Sequence, residues 1–181
     1  MKNIRLIALF SVFCLMLLVP TVYAMDNQTV LDANDDVNVT GAVYYFDANV
    51  DDNTGNGFVN SPYRNLTPGR VNDSSVNYLS DGEYWLEGQI NKRNVTFIGQ
   101  SPQNTIIKYN DVGFRANNIL TLQNLTLVGL SVSDYSNSII TAKNVIFKDS
   151  ISGSISTTFA NTYVYLENCT FLNNHANSAE R

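Results

Sequence analysis

Short runs of alternating apolar and polar residues recur along the second half of the chain, each turning about an asparagine. The runs are QINKRNVTFIG (89–99), ILTLQNLTLVG (119–129), IITAKNVIFKD (139–149) and YLENCTFLNN (165–174). The pivots are Asn94, Asn124, Asn144 and Asn168. They are 30, 20 and 24 residues apart, close to the size of one stacked supersecondary repeat. The alternation has the period of a β-strand, so the pattern predicts a stack of short strands.

Two columns of apolar side chains are predicted inside this stack. The first comprises Val95, Leu125, Val145 and Cys169, and the second comprises Phe97, Leu127, Phe147 and Phe171. A third column is predicted on the outer, half-exposed surface: Thr96, Thr126, Ile146 and Thr170. One unit is too short to bury an apolar face alone, whereas units stacked at about 4.8 Å share one continuous core.

The asparagine pivots suit the corners between strands. Asparagine tolerates the left-handed backbone conformation of a sharp turn, and its amide both donates and accepts hydrogen bonds. Stacked asparagines are therefore predicted to form a hydrogen-bonded ladder along the axis, with the amides inside the stack.

Two of these units carry a family resemblance. NVTFIG and NCTFLNN resemble coils of right-handed parallel β-helices of the pectin-lyase-like type. The upstream order of YYFDANVDDNTGNG, SPYRNL, LSDGEYW and NVTFIGQSPQNTIIKY is similar to the leading coils of adhesin-like surface proteins of methanogenic archaea and related bacterial surface proteins. The likeness covers roughly 44–174. It implies an all-β, right-handed parallel β-helix that acts at the cell surface without catalysis.

The first 24 residues have the features of an export signal. Lys2 and Arg5 precede an apolar run from Leu6 to Val19, and small residues end the segment at Ala24. The run is shorter than the roughly 20 residues that a membrane span needs, so we expect the signal peptide to engage the membrane only during export. Residues 25–42 are polar and acidic, which predicts a disordered leader.

Removal of the signal peptide changes the net charge and the number of cysteines. The whole chain has a formal net charge of −5, and removing Lys2 and Arg5 leaves 9 basic against 16 acidic residues, a net charge of −7. This balance repels nucleic acid and suits a secreted or cell-surface protein. Cys14 leaves with the signal, so Cys169 becomes the single thiol and is expected to be a buried, small apolar side chain.

Residues 43–88 are predicted to form an N-terminal cap and first coil, followed by β-helix coils over 89–181. Strands are expected at 43–46, 84–86 and 105–109, and at best a poor helix at 68–75. A cap is needed because an open β stack exposes unpaired backbone groups. The aromatic residues that could cover it are Tyr44, Tyr45, Phe46, Phe58, Tyr63, Tyr78, Tyr84 and Trp85. An aromatic sugar-binding platform is the functional alternative to cap packing.

The sequence offers no catalytic, cofactor-binding or metal-binding residues. Sugar hydrolysis normally needs two carboxylates flanking the scissile bond. The available acids fall at unrelated positions of the repeat: Glu83, Glu87, Asp111, Asp134, Asp149 and Glu167. A different coil register would bring Asp149 and Glu167 together. Asp47–Asp51 has alternating oxygen ligands but lacks the glycine and the terminal glutamate of a calcium loop. His175 has no partner in sequence for a metal or a histidine mechanism.

Together these features predict an exported, adhesin-like or structural β-helix protein with a binding or spacer role. The expected partners are glycans or another cell surface, and not nucleic acid. A carbohydrate-active enzyme on the same fold is the alternative. Because stacked repeats normally need a polar cap at both ends, we also expect further coils of the same protein, or another chain, to cover the C-terminal coil.

Overall fold

The fold was taken from a computed structural model that describes residues 41–109 and 112–176. The secondary structure of these residues consists of β-strands, with no helix. The strands are β1 (Ala42–Phe46), β2 (Ser75–Leu79), β3 (Gly82–Trp85), β4 (Arg93–Gly99), β5 (Thr105–Lys108), β6 (Val112–Val128), β7 (Ser131–Asp134), β8 (Ile139–Lys148), β9 (Ile155–Ser156), β10 (Tyr163–Glu167) and β11 (Thr170–Leu172). The predicted signal peptide and nearly all of the predicted leader lie outside the described residues.

The strands stack in parallel on three faces, and the chain visits each face once per turn. The first face contains β1, β2, β4, the middle of β6, the first half of β8 and β10. The second contains β3, β5, the end of β6, the second half of β8 and β11. The third contains the start of β6, β7 and β9. The result is a parallel β-helix of about four turns, which confirms the all-β solenoid predicted from the repeats.

The core is a set of inward columns in which each side chain rests on its counterpart in the next coil. On the second face the column runs through Tyr84, Ile107, Leu127, Phe147 and Phe171. The rings of Phe147 and Phe171 stack with centroids 4.8 Å apart and planes 5° from parallel. Each fully buried large apolar side chain contributes about 2 kcal/mol, so the coils are held together mainly by these contacts.

The predicted columns differ from the structure at the unit at Asn94, which is displaced by one face, and at Thr126, which is buried and not half-exposed. Leu125 pairs with Val145 as expected, but Val95 pairs with Leu120. In the same way Phe97 lies beside Leu122 on the first face and not beside Leu127 on the second. Asn94 precedes a first-face strand, whereas Asn124 follows one and precedes the second face. Both corners need a left-handed residue followed by an inward apolar side chain, so their sequences look alike.

The corner asparagines have the predicted backbone conformation. The φ angles of Asn94, Asn124, Asn144 and Asn168 are 53°, 53°, 54° and 49°. The side chain of Asn144 donates to Oδ1 of Asn124 at 3.0 Å, and that of Asn168 donates to Oδ1 of Asn144 at 2.7 Å. Asn94 belongs to a separate ladder, in which Asn118 donates to it at 2.6 Å.

The ladders lie on the surface of the stack and not inside it, contrary to the prediction. Asn124 and Asn144 are half-buried, and Asn94 and Asn168 are exposed. The reason is geometric: a left-handed corner residue points its side chain outward, while the strand residues on either side supply the core. The hydrogen bonds along the ladder therefore fix the register between coils at their edges.

The N-terminal edge of the stack is covered by the chain itself. Between β1 and β2 the chain folds back along the free edge of β1. Backbone amides of Tyr45 and Asp47 donate to the carbonyls of Gly57 and Tyr63 at 2.8 Å each, and Tyr63 N donates to Tyr45 O at 2.9 Å. The helix considered for residues 68–75 is absent, and turns lead directly into β2.

Asp134 organises the turn that joins the third face to the last coil. Its buried carboxylate accepts hydrogen bonds from the amides of Thr158 and Phe159 at 3.0 and 3.3 Å and from the hydroxyl of Thr162 at 2.6 Å. Burial alone would raise the pKa of Asp134, but the hydrogen bonds from Thr162, Thr158 and Phe159 outweigh it and hold the pKa below its usual value.

We predict that Asn144→Ala lowers the free energy of unfolding by about 2 kcal/mol, because it breaks two ladder hydrogen bonds and places a Cβ-bearing residue without a polar side chain at positive φ. Asn144→Gly should cost about half as much, since it loses only the ladder. Urea denaturation measures the loss of stability in each variant, provided that the m value is unchanged. Equal losses for the two variants would show that the backbone conformation at this corner is unstrained.

We predict that Asp134→Asn destabilises the fold by about 2 kcal/mol at neutral pH, because an amide cannot accept all three hydrogen bonds. Asp149→Asn, at a carboxylate that is 43% exposed, is the matched control and should change stability by less than about 0.5 kcal/mol.

The same group gives a pH dependence of defined sign. A carboxyl with a depressed native pKa stabilises the fold above its unfolded pKa of about 4, and this stabilisation is lost as the pH falls through the lower native pKa. The stability difference between wild type and Asp134→Asn should therefore shrink below about pH 4. A constant difference between pH 7 and pH 2, measured by urea denaturation, would contradict this assignment.

Candidate functional site

A groove of about 190 Å³ lies beside β3, on the outer surface of the second face. It is lined by Ala48, Arg64, Asn65, Glu83, Tyr84, Trp85 and Glu87, and is called the Trp85 groove below. Strand alternation explains its composition: Tyr84 points into the core, so its neighbours Glu83 and Trp85 point outward. The loop that follows β1 supplies the opposite wall.

Tyr84 anchors the groove to the core. Its hydroxyl donates to the carbonyl of Ser80 at 2.9 Å, lies 3.1 Å from that of Phe46, and accepts from the amide of Ala48 at 3.2 Å. The ring is buried, and burial raises the pKa of Tyr84 well above its usual value, so the side chain stays neutral. Tyr84 therefore holds the wall at Ala48 against β3 and has a structural role.

Trp85 is the single tryptophan of the chain, and 57% of it is exposed. Its strand neighbour on the next coil is Lys108, whose ammonium lies 6.0 Å from the centroid of the indole ring. The same ammonium pairs with Glu83 Oε1 at 2.6 Å. The sequence favoured cap packing for this aromatic residue, and the structure places it on the surface instead.

Further polar groups line the same groove as Trp85. The side-chain amide of Asn65 donates to Glu87 Oε1 at 3.0 Å. Arg64 donates to the backbone carbonyl of Asp51 at 3.1 Å and lines the same groove. The groove thus holds donors and acceptors that are already fixed by hydrogen bonds, beside a flat apolar ring.

The acids are less scattered than the repeat pattern indicated. Glu83 and Glu87 line one groove, although they occupy different positions of the repeat. Asp134 is a buried structural group, Glu167 lies on the last described coil, and Asp111 falls outside the described residues. The signal that the sequence contained was the spacing of two residues between Glu83 and Trp85, which places both on the outer side of one strand.

The last described coil exposes the interior of the stack. This surface, formed by β10 and β11, is called the open coil. Its inward side chains continue the core columns, since Val164 pairs with Ile140, Leu166 with Ala142 and Phe171 with Phe147. Yet Leu166 is 46% exposed and Phe171 is 48% exposed, whereas their partners in β8 are buried.

In each ladder that reaches the open coil, the residue on the later coil donates to the residue on the earlier coil. Asn161 donates to Asn137 at 3.1 Å, Asn168 to Asn144 at 2.7 Å and Asn173 to Asp149 at 3.3 Å. An ionised carboxylate only accepts hydrogen bonds, so the bond to Asp149 fixes the orientation of its ladder. Oδ1 of Asn144 accepts from the following coil. In the same arrangement, the side-chain oxygens of Asn161, Asn168 and Asn173 are acceptors directed to the next level of the stack.

The other candidate residues that the structure describes make structural contacts. Asp47 Oδ1 accepts from the amide and side chain of Asn49 at 2.9 and 3.1 Å, a local turn. Cys169 is half-buried against the core, with Sγ 3.4 Å from the carbonyl of Ala142. Within residues 41–109 and 112–176 no group of three or more His, Cys, Asp or Glu could hold a metal ion, and no helix could cross a membrane.

No family model, curated protein or solved structure matches this chain. The β-helix fold therefore rests on the structure itself. The adhesin-like and pectin-lyase-like resemblances have no support from these comparisons.

Proposed function

We propose that this protein is an exported, non-catalytic element of the cell surface, in which the parallel β-helix serves as a rod or spacer of the adhesin-like kind. Three features support the proposal: the three-faced stack, the acidic balance of the chain, and the contrast between its two edges. A stack that is covered by its own chain at one edge and exposes core residues at the other is suited to be one part of a longer rod.

The single observation that carries this proposal is the open coil. Its inward apolar residues, Val164, Leu166 and Phe171, are 38–48% exposed, while their partners one coil earlier, Ile140, Ala142 and Phe147, are buried. A free strand edge with exposed interior side chains is a template for another strand. We propose that a further parallel coil covers it, supplied by the same protein or by another chain.

The ladder direction specifies the chemistry of that coil. The exposed amide oxygens of Asn161, Asn168 and Asn173 can accept from the next level, and an asparagine at each equivalent position supplies the donor. A second copy of this chain is disfavoured at its N-terminal edge, because Tyr45 in β1 already pairs its N–H with Gly57 and its C=O with Tyr63. Two open coils placed face to face would bring acceptors against acceptors.

Coil addition tests the proposal directly. Replacing residues 177–181 with a copy of 153–176 adds one turn in the 24-residue register of the last coil. We expect a higher Tm and strong amide-exchange protection across 163–172, because the inward side chains of the open coil become buried. The matched control carries the same added coil with its three ladder asparagines changed to aspartate, and its gain in Tm should be much smaller.

An unchanged Tm and unchanged exchange in the extended chain would contradict the rod proposal. Sedimentation of the wild-type chain distinguishes a further coil from a second copy of the chain. A stable dimer in which the amides of 163–172 are protected would show that a second copy covers this surface.

A carbohydrate-active enzyme is the second candidate function, and the observation that favours it is the presence of Glu83 and Glu87 in one groove. Glycoside hydrolysis uses paired carboxylates. The rod proposal predicts no release of reducing ends or unsaturated uronates from neutral or acidic polysaccharides, measured with the intact chain. Release that Glu83→Gln or Glu87→Gln abolishes would establish the enzyme instead, with Asp149→Asn as the unaffected control.

A further inference from the structure

We propose that the Trp85 groove binds one ring of a neutral, pyranose-based oligosaccharide. The proposal deepens the surface role given above by naming a ligand class and a site on the rod. It rests on the geometry of one exposed indole and the fixed polar groups around it.

Trp85 is exposed although its strand neighbour is buried. An indole buries a large apolar area when it finds a partner, yet 57% of Trp85 is exposed on a strand whose neighbouring side chain, Tyr84, is fully packed. The apolar face of a pyranose ring, made of C–H groups, is flat and matches an aromatic face. Trp85 therefore offers the apolar contact that a sugar ring needs.

Polar groups with unused hydrogen-bonding capacity line the groove beside Trp85. Glu87 has acceptor positions left after its bond from Asn65, and Glu83 has them left after its pair with Lys108. Arg64 adds donors at the rim. Each sugar hydroxyl can both donate and accept a hydrogen bond. Carboxylates accept from these hydroxyls, while the amide and the guanidinium donate to them, so the hydroxyls keep their hydrogen bonds when they leave water.

The balance of charge at the groove favours a neutral ligand. Two acids, Glu83 and Glu87, are balanced by two bases, Arg64 and Lys108. The groove has no uncompensated positive charge to bind a uronate or sulfate, and the chain as a whole carries a net charge of −5. Polyanionic polysaccharides are repelled at long range.

The groove is small and its strand wall is rigid. A cavity volume of about 190 Å³ is below the roughly 300–1,000 Å³ of pockets for drug-sized ligands, so the groove suits one sugar ring and not a long segment. Trp85 is held on β3 by parallel pairing to β5, and the following amide, Leu86 N, donates to Lys108 O at 3.0 Å. Little backbone order needs to be gained on binding.

The single tryptophan makes the test direct. Titration of the intact chain with cello-, manno- and galacto-oligosaccharides, followed by intrinsic fluorescence, should give a saturable change in emission for at least one of them. An oligogalacturonate series serves as the anionic comparison and should bind more weakly. Calorimetry then measures the variants that lack the fluorophore.

Trp85→Ala should weaken binding by roughly tenfold or more, as for other exposed anchor residues, and Trp85→Phe should retain part of the affinity. Asn65→Ala should weaken it less. The matched control is Phe159→Ala, which removes another exposed aromatic ring, one that contacts Tyr135 outside the groove, and should leave binding unchanged. Circular dichroism and Tm of each variant establish that the fold is retained.

Absence of saturable binding up to about 10 mM of every neutral oligosaccharide would overturn the proposal. So would equal affinity of the Trp85→Ala variant, or preferential binding of oligogalacturonate. These results are independent of coil addition: loss of sugar binding with a stabilising added coil leaves the rod proposal intact, and the reverse outcome leaves the groove intact. Sugar cleavage during the titration would assign the groove to catalysis instead.

Discussion

Register between coils is the constraint on which the rest of this structure depends. Each inward side chain contributes to stability only if its counterpart one coil away lies directly beside it, because a shift of one residue turns the whole apolar set outward. The left-handed asparagine corners fix where each strand begins, and the amide ladders bond one corner to the next. Without them, strands of four or five residues on three faces would have many competing alignments.

The fold could be predicted because each sequence repeat specifies a strand and the corner before it. Alternation between Leu125 and Leu127 dictates a strand with two inward residues, and the corner asparagine dictates a turn before it. The phase of the repeat was not predictable in the same way. The corner at Asn94 lies between the third and first faces and that at Asn124 between the first and second, but both are followed by the same local pattern. Only long-range pairing, such as Val95 with Leu120, distinguishes them.

The groove could be anticipated only in part. Period-two alternation places Glu83 and Trp85 on one side of β3, but their outward direction depends on Tyr84 entering the core. The contributions of Arg64 and Asn65 come from an irregular loop whose path is set by pairing with the free edge of β1, and no periodic signal marks such a loop. Sequence patterns therefore indicate the strand half of the groove and not its loop half.

The groove and the open coil are energetically separate parts of one molecule. In a stack, each coil contacts only its neighbours, so stability is close to a sum of local terms. Trp85 lies on the coil of β3, and β5, the end of β6 and β8 separate it from β11 on the same face. At about 4.8 Å per level this is well beyond the 7–10 Å over which independent sites couple. If both proposals hold, a ligand at the groove and an added coil at the far edge would therefore act without influencing each other, because the two proposed sites share no neighbouring coil.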